Sequence, residues 1–239
     1  MLKLVIGNKN YSSWSLRPWL AMKVAGIEFV EERIALDQPD TRARILACSP
    51  SGKVPCLLDG RLAVWDSLAI CEYVNETYAA GRLWPADRAA RATARAVSAE
   101  MHSGFAALRG HLSMDIRARK PARGAEAQRR ADVQADIERV VAIWTAALDA
   151  SGGPMLFGAF CIADAFYAPV VTRFVTYDVA LPPLLAGYSA RVLAGDPLRP
   201  SGCPPAGERA PSERPCGALP PMRAWVAAAQ AEVEELTDH

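Results

Sequence analysis

Four short segments carry side chains able to hold an anion, an amine and an extended peptide. The first is Asn10-Tyr11-Ser12-Ser13-Trp14-Ser15-Leu16-Arg17-Pro18, where a strand turns into the first helix. A serine hydroxyl at a helix N-terminus either caps the helix or donates a hydrogen bond to an anion. In the second case the helix dipole and free N–H groups add to the attraction. The second segment is Ser51-Gly52-Lys53-Val54-Pro55. Proline entering a strand removes a ladder donor. With a cis Val54–Pro55 bond, the N–H and C=O of Val54 are left to pair with an extended ligand. The third is Trp65-Asp66-Ser67-Leu68-Ala69-Ile70. Asp66 and Ser67 either cap a helix, or Ser67 takes a carboxylate while Asp66 holds an ammonium, as an amino-acid head group requires. The fourth, Phe160-Cys161-Ile162-Ala163-Asp164-Ala165-Phe166, has an acid three residues after an N-cap position, the spacing of a capping box.

The surrounding pattern says what must position these segments. Residues 2–6 read as a buried strand ending at Gly7, and 8–13 as a turn. A helix follows, with Pro18 in its first turn and Trp19, Leu20, Met22 and Val24 leading to Gly26. Residues 29–35 alternate as a strand, and 38–47 form a short helix. Residues 54–58 and 62–65 flank Asp59-Gly60 as a hairpin. Asp66-Ser67 opens a helix through Leu68, Ile70, Cys71, Tyr73, Val74 and Tyr78. The order is βαβαββα.

After Leu83-Trp84-Pro85 helical spacing takes over. Val97, Met101, Phe105, Leu108 and Leu112 are assigned to one long helix. Val133 to Leu148, Ile162 to Tyr177 and Met222 to Leu236 repeat the period. The expected organisation is a domain at 1–80, a linker at 81–87 and an all-helical domain at 88–239. Eight of the 18 prolines lie between 195 and 221, so a Pro/Gly-rich surface insertion is expected at about 195–218.

Composition excludes several classes. In 239 residues, 51% are hydrophobic, 22% are charged and the net charge is +1, which suits a packed core. Neither nucleic acid nor an anionic membrane is expected as partner. No apolar run approaches the ~18 residues of a spanning helix. The N-terminus is too short for a signal peptide, so a cytoplasmic protein is expected. Six cysteines without Cys-x-x-Cys spacing and three scattered histidines predict reduced thiols and no metal site. Cys203 and Cys216 fall in the loop-like stretch. Arginines crowd 88–130, either as a solvated helix face or as a local positive field for an anionic ligand.

In order and spacing, Ser12-Ser13-x-Ser-x-Arg, Lys53-Val54-Pro55, Asp66-Ser67-x-Ala-Ile and the late Ile-Ala-Asp box resemble the glutathione transferase superfamily over nearly the whole chain. The paired serines are most similar to its serine-type zeta and theta classes, which include maleylacetoacetate isomerases. The resemblance implies a thioredoxin-like α/β N-terminal domain, an all-α C-terminal domain, glutathione as co-substrate without metal, and a homodimer. It implies that Pro55 is cis, that Val54 pairs with the cysteinyl backbone of glutathione, that Asp66 and Ser67 hold the γ-glutamyl end, and that Lys53 lies nearby. Ser12 or Ser13 matches the catalytic position, and a zeta-like alignment favours Ser12. For the glycine carboxylate, Arg42 or Arg44 is a chemical choice only.

The implied chemistry is thiolate formation. A free thiol titrates near pH 8.5, and a serine hydroxyl with a helix N-terminus lowers that value. The thiolate then attacks an electrophile, or adds reversibly to an activated double bond. The electrophile site is expected between Ser12 and the first long helix of the second domain, from Met101, His102, Phe105 and Arg109, with Tyr167 and Arg173 secondary. The competing assignments are core for Met101 and Phe105, a surface or dimer contact for His102, and a surface ion pair for Arg109. Cys161 stands where the family carries Ser or Thr. The Asp164 half of the box is expected to persist and the thiol half to be lost, weakening the helix by roughly 0.5–2 kcal/mol. Two other functions remain in view. A glutathione-dependent thiol reductase or peroxidase needs a reactive cysteine, for which Cys56 is the nearest candidate. A non-catalytic relative would bind a protein partner.

Overall fold

A computed structural model describes residues 1–194 and 221–232. The expected insertion at 195–218, with Cys203 and Cys216, lies outside them, as does His239.

The first part runs β1 (Leu2–Ile6), α1 (Ser13–Val24), β2 (Val30–Arg33), α2 (Thr41–Leu46), β3 (Cys56–Asp59), β4 (Leu62–Trp65) and α3 (Ser67–Thr77). This is the βαβαββα order read from the sequence. The strands lie in the order β2-β1-β3-β4, with β1 parallel to β2 and antiparallel to β3, and β3 antiparallel to β4. β1 is central and covered on both faces, which is why Leu2, Leu4, Val5 and Ile6 are all apolar. Strand alternation sends Leu4 and Ile6 into the main core, and Val5 to the other face with Ile34, Ile45 and Cys56. Helix α1 starts at Ser13, so Pro18 is interior to it rather than in its first turn.

The second part is helical: α4 (Arg88–Ser103), α5 (Ala106–His111), α6 (Pro121–Ala127), α7 (Ala131–Ser151), α8 (Ile162–Thr176), α9 (Pro183–Ala194) and α10 (Pro221–Ala231). The single long helix expected through Leu112 is two helices. Gly104 is extended, and a Cβ there would sit 2.9 Å from the Glu100 carbonyl oxygen. Phe105 then adopts left-handed φ of 57°. Apolar spacing survives such a break, so periodicity alone does not reveal it.

Helix α8 is the central post. It is buried from Ile162 to Phe174 and packs against α1 and α4, joining the two parts of the chain. Trp144 of α7 meets Tyr167 and Tyr188 edge-on at 5.8 and 5.1 Å. Helix α10 returns to the start of the chain. Glu232 accepts the Lys9 N–H at 2.9 and 3.0 Å, and Trp225 Nε1 donates to the Lys9 carbonyl at 2.8 Å. Among the described residues no helix is long and apolar enough to cross a membrane.

Candidate active site

The turn after β1 places Ser12 at the N-cap position of α1, yet its hydroxyl does not cap the helix. It donates instead to Ser15 Oγ at 2.7 Å, and Ser15 Oγ accepts the Gly7 N–H at 3.1 Å. A Cβ at Gly7 would lie 2.7 Å from Leu36 Cδ1 and 3.1 Å from Ser12 Cβ, so the strand end packs closely on this turn. Ser12 and Ser13 are both buried.

The Val54–Pro55 bond is cis, as the resemblance implies. Both residues precede β3 and stand outside its ladder. Ser49 Oγ donates to the Lys53 carbonyl at 2.9 Å, and Lys53 N–H donates to Ser51 Oγ at 3.2 Å, fixing the loop from below.

Asp66 does two things. Its Oδ1 accepts from Leu68 and Ala69 N–H at 2.8 and 3.3 Å, so it caps α3. Its Oδ2 lies 3.2 Å from His102 Nε2. Asp66 holds φ of 78°, a strained value for a residue with a Cβ and one that recurs at ligand sites. Ser67 Oγ beside it is buried without a partner among the described residues.

These groups converge. One cavity of about 440 Å³ is lined by Lys53, Val54, Pro55, Asp66, Ser67 and His102, together with Trp14, Ser51 and Trp65. The first turn of α1 contributes Trp14 to the wall, and neither Ser12 nor Ser13 lines it. Met101 and Phe105 are core residues, 1% and 6% exposed, and do not face the cavity. Arg109 stands behind Trp14. Its Cζ is 5.1 Å from the ring centroid, and its Nη1 donates to the His102 carbonyl at 3.1 Å. Tyr167 is buried, with its hydroxyl on the Val97 carbonyl at 3.2 Å. Arg173 is buried on α8. Arg42 and Arg44 are on α2 and do not line the cavity; Arg42 Nη1 lies near Gly52, between the lining residues Ser51 and Lys53, and Arg44 lies 3.8 Å from Asp40.

Burial chiefly, then Arg17 and Arg109, push the His102 ring below its ordinary range, and Asp66 partly offsets them. Burial pushes up the thiols of Cys48, Cys56, Cys71 and Cys161, so among the described residues no cysteine has the low pKa of a redox nucleophile. Among the same residues no cluster of three His, Cys, Asp or Glu could hold a metal ion.

The capping box at Cys161 closes in both directions. Cys161 N–H donates to Asp164 Oδ2 at 2.9 Å, as expected, and Cys161 sulfur also accepts the Asp164 N–H. The expected loss of the thiol half is therefore corrected: sulfur is a weak acceptor but it stays in place.

Sequence reading missed the aromatic walls. Trp14 and Arg17 are three apart on α1, neighbours on one helix face. Arg17 Cζ stacks 4.2 Å from the Trp14 ring and 4.7 Å from Phe166. The i, i+3 spacing of a cation and an aromatic was the available signal.

Two family models match the chain: glutathione S-transferase, N-terminal domain, over residues 11–77, and glutathione S-transferase, C-terminal domain, over residues 127–228. A probable maleylacetoacetate isomerase of Caenorhabditis elegans is 32% identical over 93 residues, 39% of this chain. The match spans 42% of that protein, under half its length. A solved glutathione transferase homolog from Burkholderia, with bound glutathione, is similar with a TM-score of 0.65 at 23% identity, over 96% of this chain and 98% of that one. A theta class glutathione S-transferase from Xanthomonas axonopodis pv. citri, with glutathione bound, is 26% identical with a TM-score of 0.55, over 80% and 91% of the two chains.

Proposed function

The chain belongs to the glutathione S-transferase family, and from that premise we propose that it binds glutathione in the 440 Å³ cavity and ionises its thiol. The thiolate then conjugates a small electrophile, or adds reversibly to an activated double bond and isomerises it. One observation carries the reading. The out-of-ladder Val54–Pro55 edge, the Asp66 carboxylate and the Ser67 hydroxyl open into one cavity. They match the three demands of a γ-glutamyl peptide: a backbone to pair, an ammonium to hold and a carboxylate to accept.

In this reading Val54 pairs with the cysteinyl backbone, Asp66 holds the ammonium, Ser67 donates to the γ-glutamyl carboxylate and Lys53 adds positive charge. Ser12 donates to the thiolate at the N-terminus of α1, where the helix dipole assists. Ser13 is the neighbouring alternative. Residues 1–80 form the glutathione domain, 81–87 the linker and 88–239 the helical domain. The protein is a cytoplasmic homodimer acting in detoxification, and light scattering at twice the chain mass tests the dimer. Retention on glutathione-agarose with conjugation of a chlorinated dinitrobenzene tests the activity. Failure of both removes the reading, and retention without conjugation favours a non-catalytic relative.

A further inference from the structure

Two further cavities, of about 520 and 310 Å³, share no lining residue with the 440 Å³ cavity and meet at Arg119, Val175 and Leu193. Together they make one groove beside the C-terminal half of α8, walled by α9 and α10. The walls follow helical spacing. Ala186, Ala190 and Leu193 of α9 stand at i, i+4 and i+7, and Arg223, Val226 and Ala227 of α10 at i, i+3 and i+4. Such stripes are what a helix turns toward a neighbour. Alanines on both walls allow a third helix to approach closely. The groove does not suit a free small molecule. Sites for small ligands enclose most of the ligand, whereas Arg119, Ala186, Ala190 and Ala227 are exposed. A helix laid along the groove covers both cavities at once.

Two observations say what that helix carries. Ser189, on the wall of the first cavity, is 6% exposed, and its hydroxyl oxygen is buried without a hydrogen-bond partner among the described residues. Buried polar groups are nearly always satisfied, so an acceptor arriving in the groove supplies what this hydroxyl lacks. The second observation is charge. Arg119 lines both cavities and Arg223 lines the second. Arg119 Nη1 donates to the Ala118 carbonyl at 2.9 Å, and among the described residues neither guanidinium has an ion-pair partner. Asp178 lines the first cavity alone. The groove is therefore positive over Arg119 and Arg223 and negative at Asp178. Acids over the arginines and a base over Asp178 complement it. Helices favour acids in their first turns and bases in their last, which points the incoming N-terminus toward α10.

We propose that this groove docks an amphipathic helix of a partner protein, apolar where it meets Val175 and Leu193 and acidic where it crosses Arg119 and Arg223. The proposal does not rest on the transferase reading.

The test uses the full chain and two fluorescein-labelled peptides of roughly 16 residues, stapled because unsupported helices of that length are marginal in water. Both carry leucine and alanine on one face. One has glutamates in its first two turns and lysines in its last two; the other has them exchanged. Fluorescence anisotropy is expected to show saturable binding of the first peptide and binding weaker by about fivefold or more for the second. Arg119→Glu is expected to remove that preference. Ala190→Trp, which fills the groove from an exposed position, is expected to weaken the first peptide by about tenfold or more, the scale of a lost anchor. Ser189→Ala is expected to weaken it by about threefold to tenfold, as for one hydrogen bond. Both substituted surface positions are exposed, and melting curves matching the wild type show that the variants are folded. No saturable binding by the wild type, equal binding of the two peptides, or unchanged binding in both Arg119→Glu and Ala190→Trp overturns the proposal.

Discussion

Ser12 Oγ and Ser15 Oγ are joined by a buried 2.7 Å hydrogen bond, and Ser15 Oγ also accepts the Gly7 N–H. Hydroxyl protons rotate. When a thiolate arrives at Ser12, the Ser15 proton turns to Ser12 and the Ser12 proton turns to sulfur. The result is a donor chain running from Gly7 through Ser15 and Ser12, each link polarising the next. Ser15 is thus a positioning residue for the proposed reaction. Ser12→Ala is expected to raise the pKa of bound glutathione by about one unit or more, about 1.4 kcal/mol. Ser15→Ala is expected to raise it by a fraction of that, with kcat falling and KM holding. Ultraviolet absorbance of the thiolate against pH measures both shifts. No shift in Ser12→Ala with a full shift in Ser13→Ala would move the role to Ser13.

His102 Nε2 sits 3.2 Å from the Asp66 carboxylate that is proposed to hold the ligand ammonium, so ring and ammonium compete. The ring titrates below its ordinary 6.5, mainly through burial. Above that pKa it is neutral and competes weakly. As pH falls through it, the charged ring pairs with Asp66 and glutathione binding weakens. His102→Gln is expected to flatten this acid-side loss and to tighten binding by about two- to fivefold, the scale of a partly exposed ion pair. Calorimetric titration of glutathione from pH 5 to 8 checks it, and parallel slopes in both proteins reject the competition.

The βαβαββα order was legible from local signals, strand alternation and the Asp59-Gly60 turn, whereas Lys53, Val54, Pro55, Asp66 and Ser67 were joined into one site only by the resemblance, since a proline at a strand entrance and an acid before a helix each read equally well as local structure. Other features were not local. Phe105 keeps apolar spacing across the break at Gly104, so one helix was read where the chain forms two. Trp14 enters the cavity wall because α8 packs on α1 and His102 meets the Trp14 ring at 5.2 Å; the i, i+3 spacing with Arg17 signals the pair but not the wall it forms. The mutual repulsion of Arg17 and Arg173, both buried, arises only when two helices distant in sequence are packed together.

Glu232 clamps the end of α10 onto the turn before α1, taking the Lys9 N–H on both oxygens and lying 3.3 Å from Arg33 Nη1. Glu232→Ala leaves a part-buried N–H without its acceptor. It is expected to cost about 1–3 kcal/mol in urea unfolding. Because Lys9 adjoins the Ser12 turn, glutathione affinity should also fall. Full stability in the variant would mean that α10 docks through Trp225 alone.

Cys161 closes its box through sulfur, so Cys161→Ser exchanges a weak acceptor for a good one in the same place. The gain is expected at about 0.5–1 kcal/mol, which raises Tm by roughly 1–4 °C in a chain of this size. A lower Tm would show that the buried hydroxyl costs more than the cap returns.

Asp164 is the buried carboxylate of that box, accepting from Cys161 N–H, Leu156 N–H and the Tyr188 hydroxyl at 2.9, 3.1 and 3.2 Å. Burial outweighs these donors and raises its pKa from 3.8 to about 6. The folded protein therefore binds this proton more tightly than the unfolded chain. The stability contributed is fully present below 3.8 and is lost as pH rises through about 6. A shift of about two units corresponds to roughly 3 kcal/mol. Asp164→Asn removes the titration and also sets an amide N–H₂ against one backbone N–H, so the variant is less stable at every pH. The difference in unfolding free energy between wild type and variant is expected to narrow by up to roughly 3 kcal/mol between pH 4 and pH 7. Urea unfolding at matched ionic strength measures the gap. A gap constant with pH would mean that the three donors hold the carboxylate at its ordinary pKa despite complete burial.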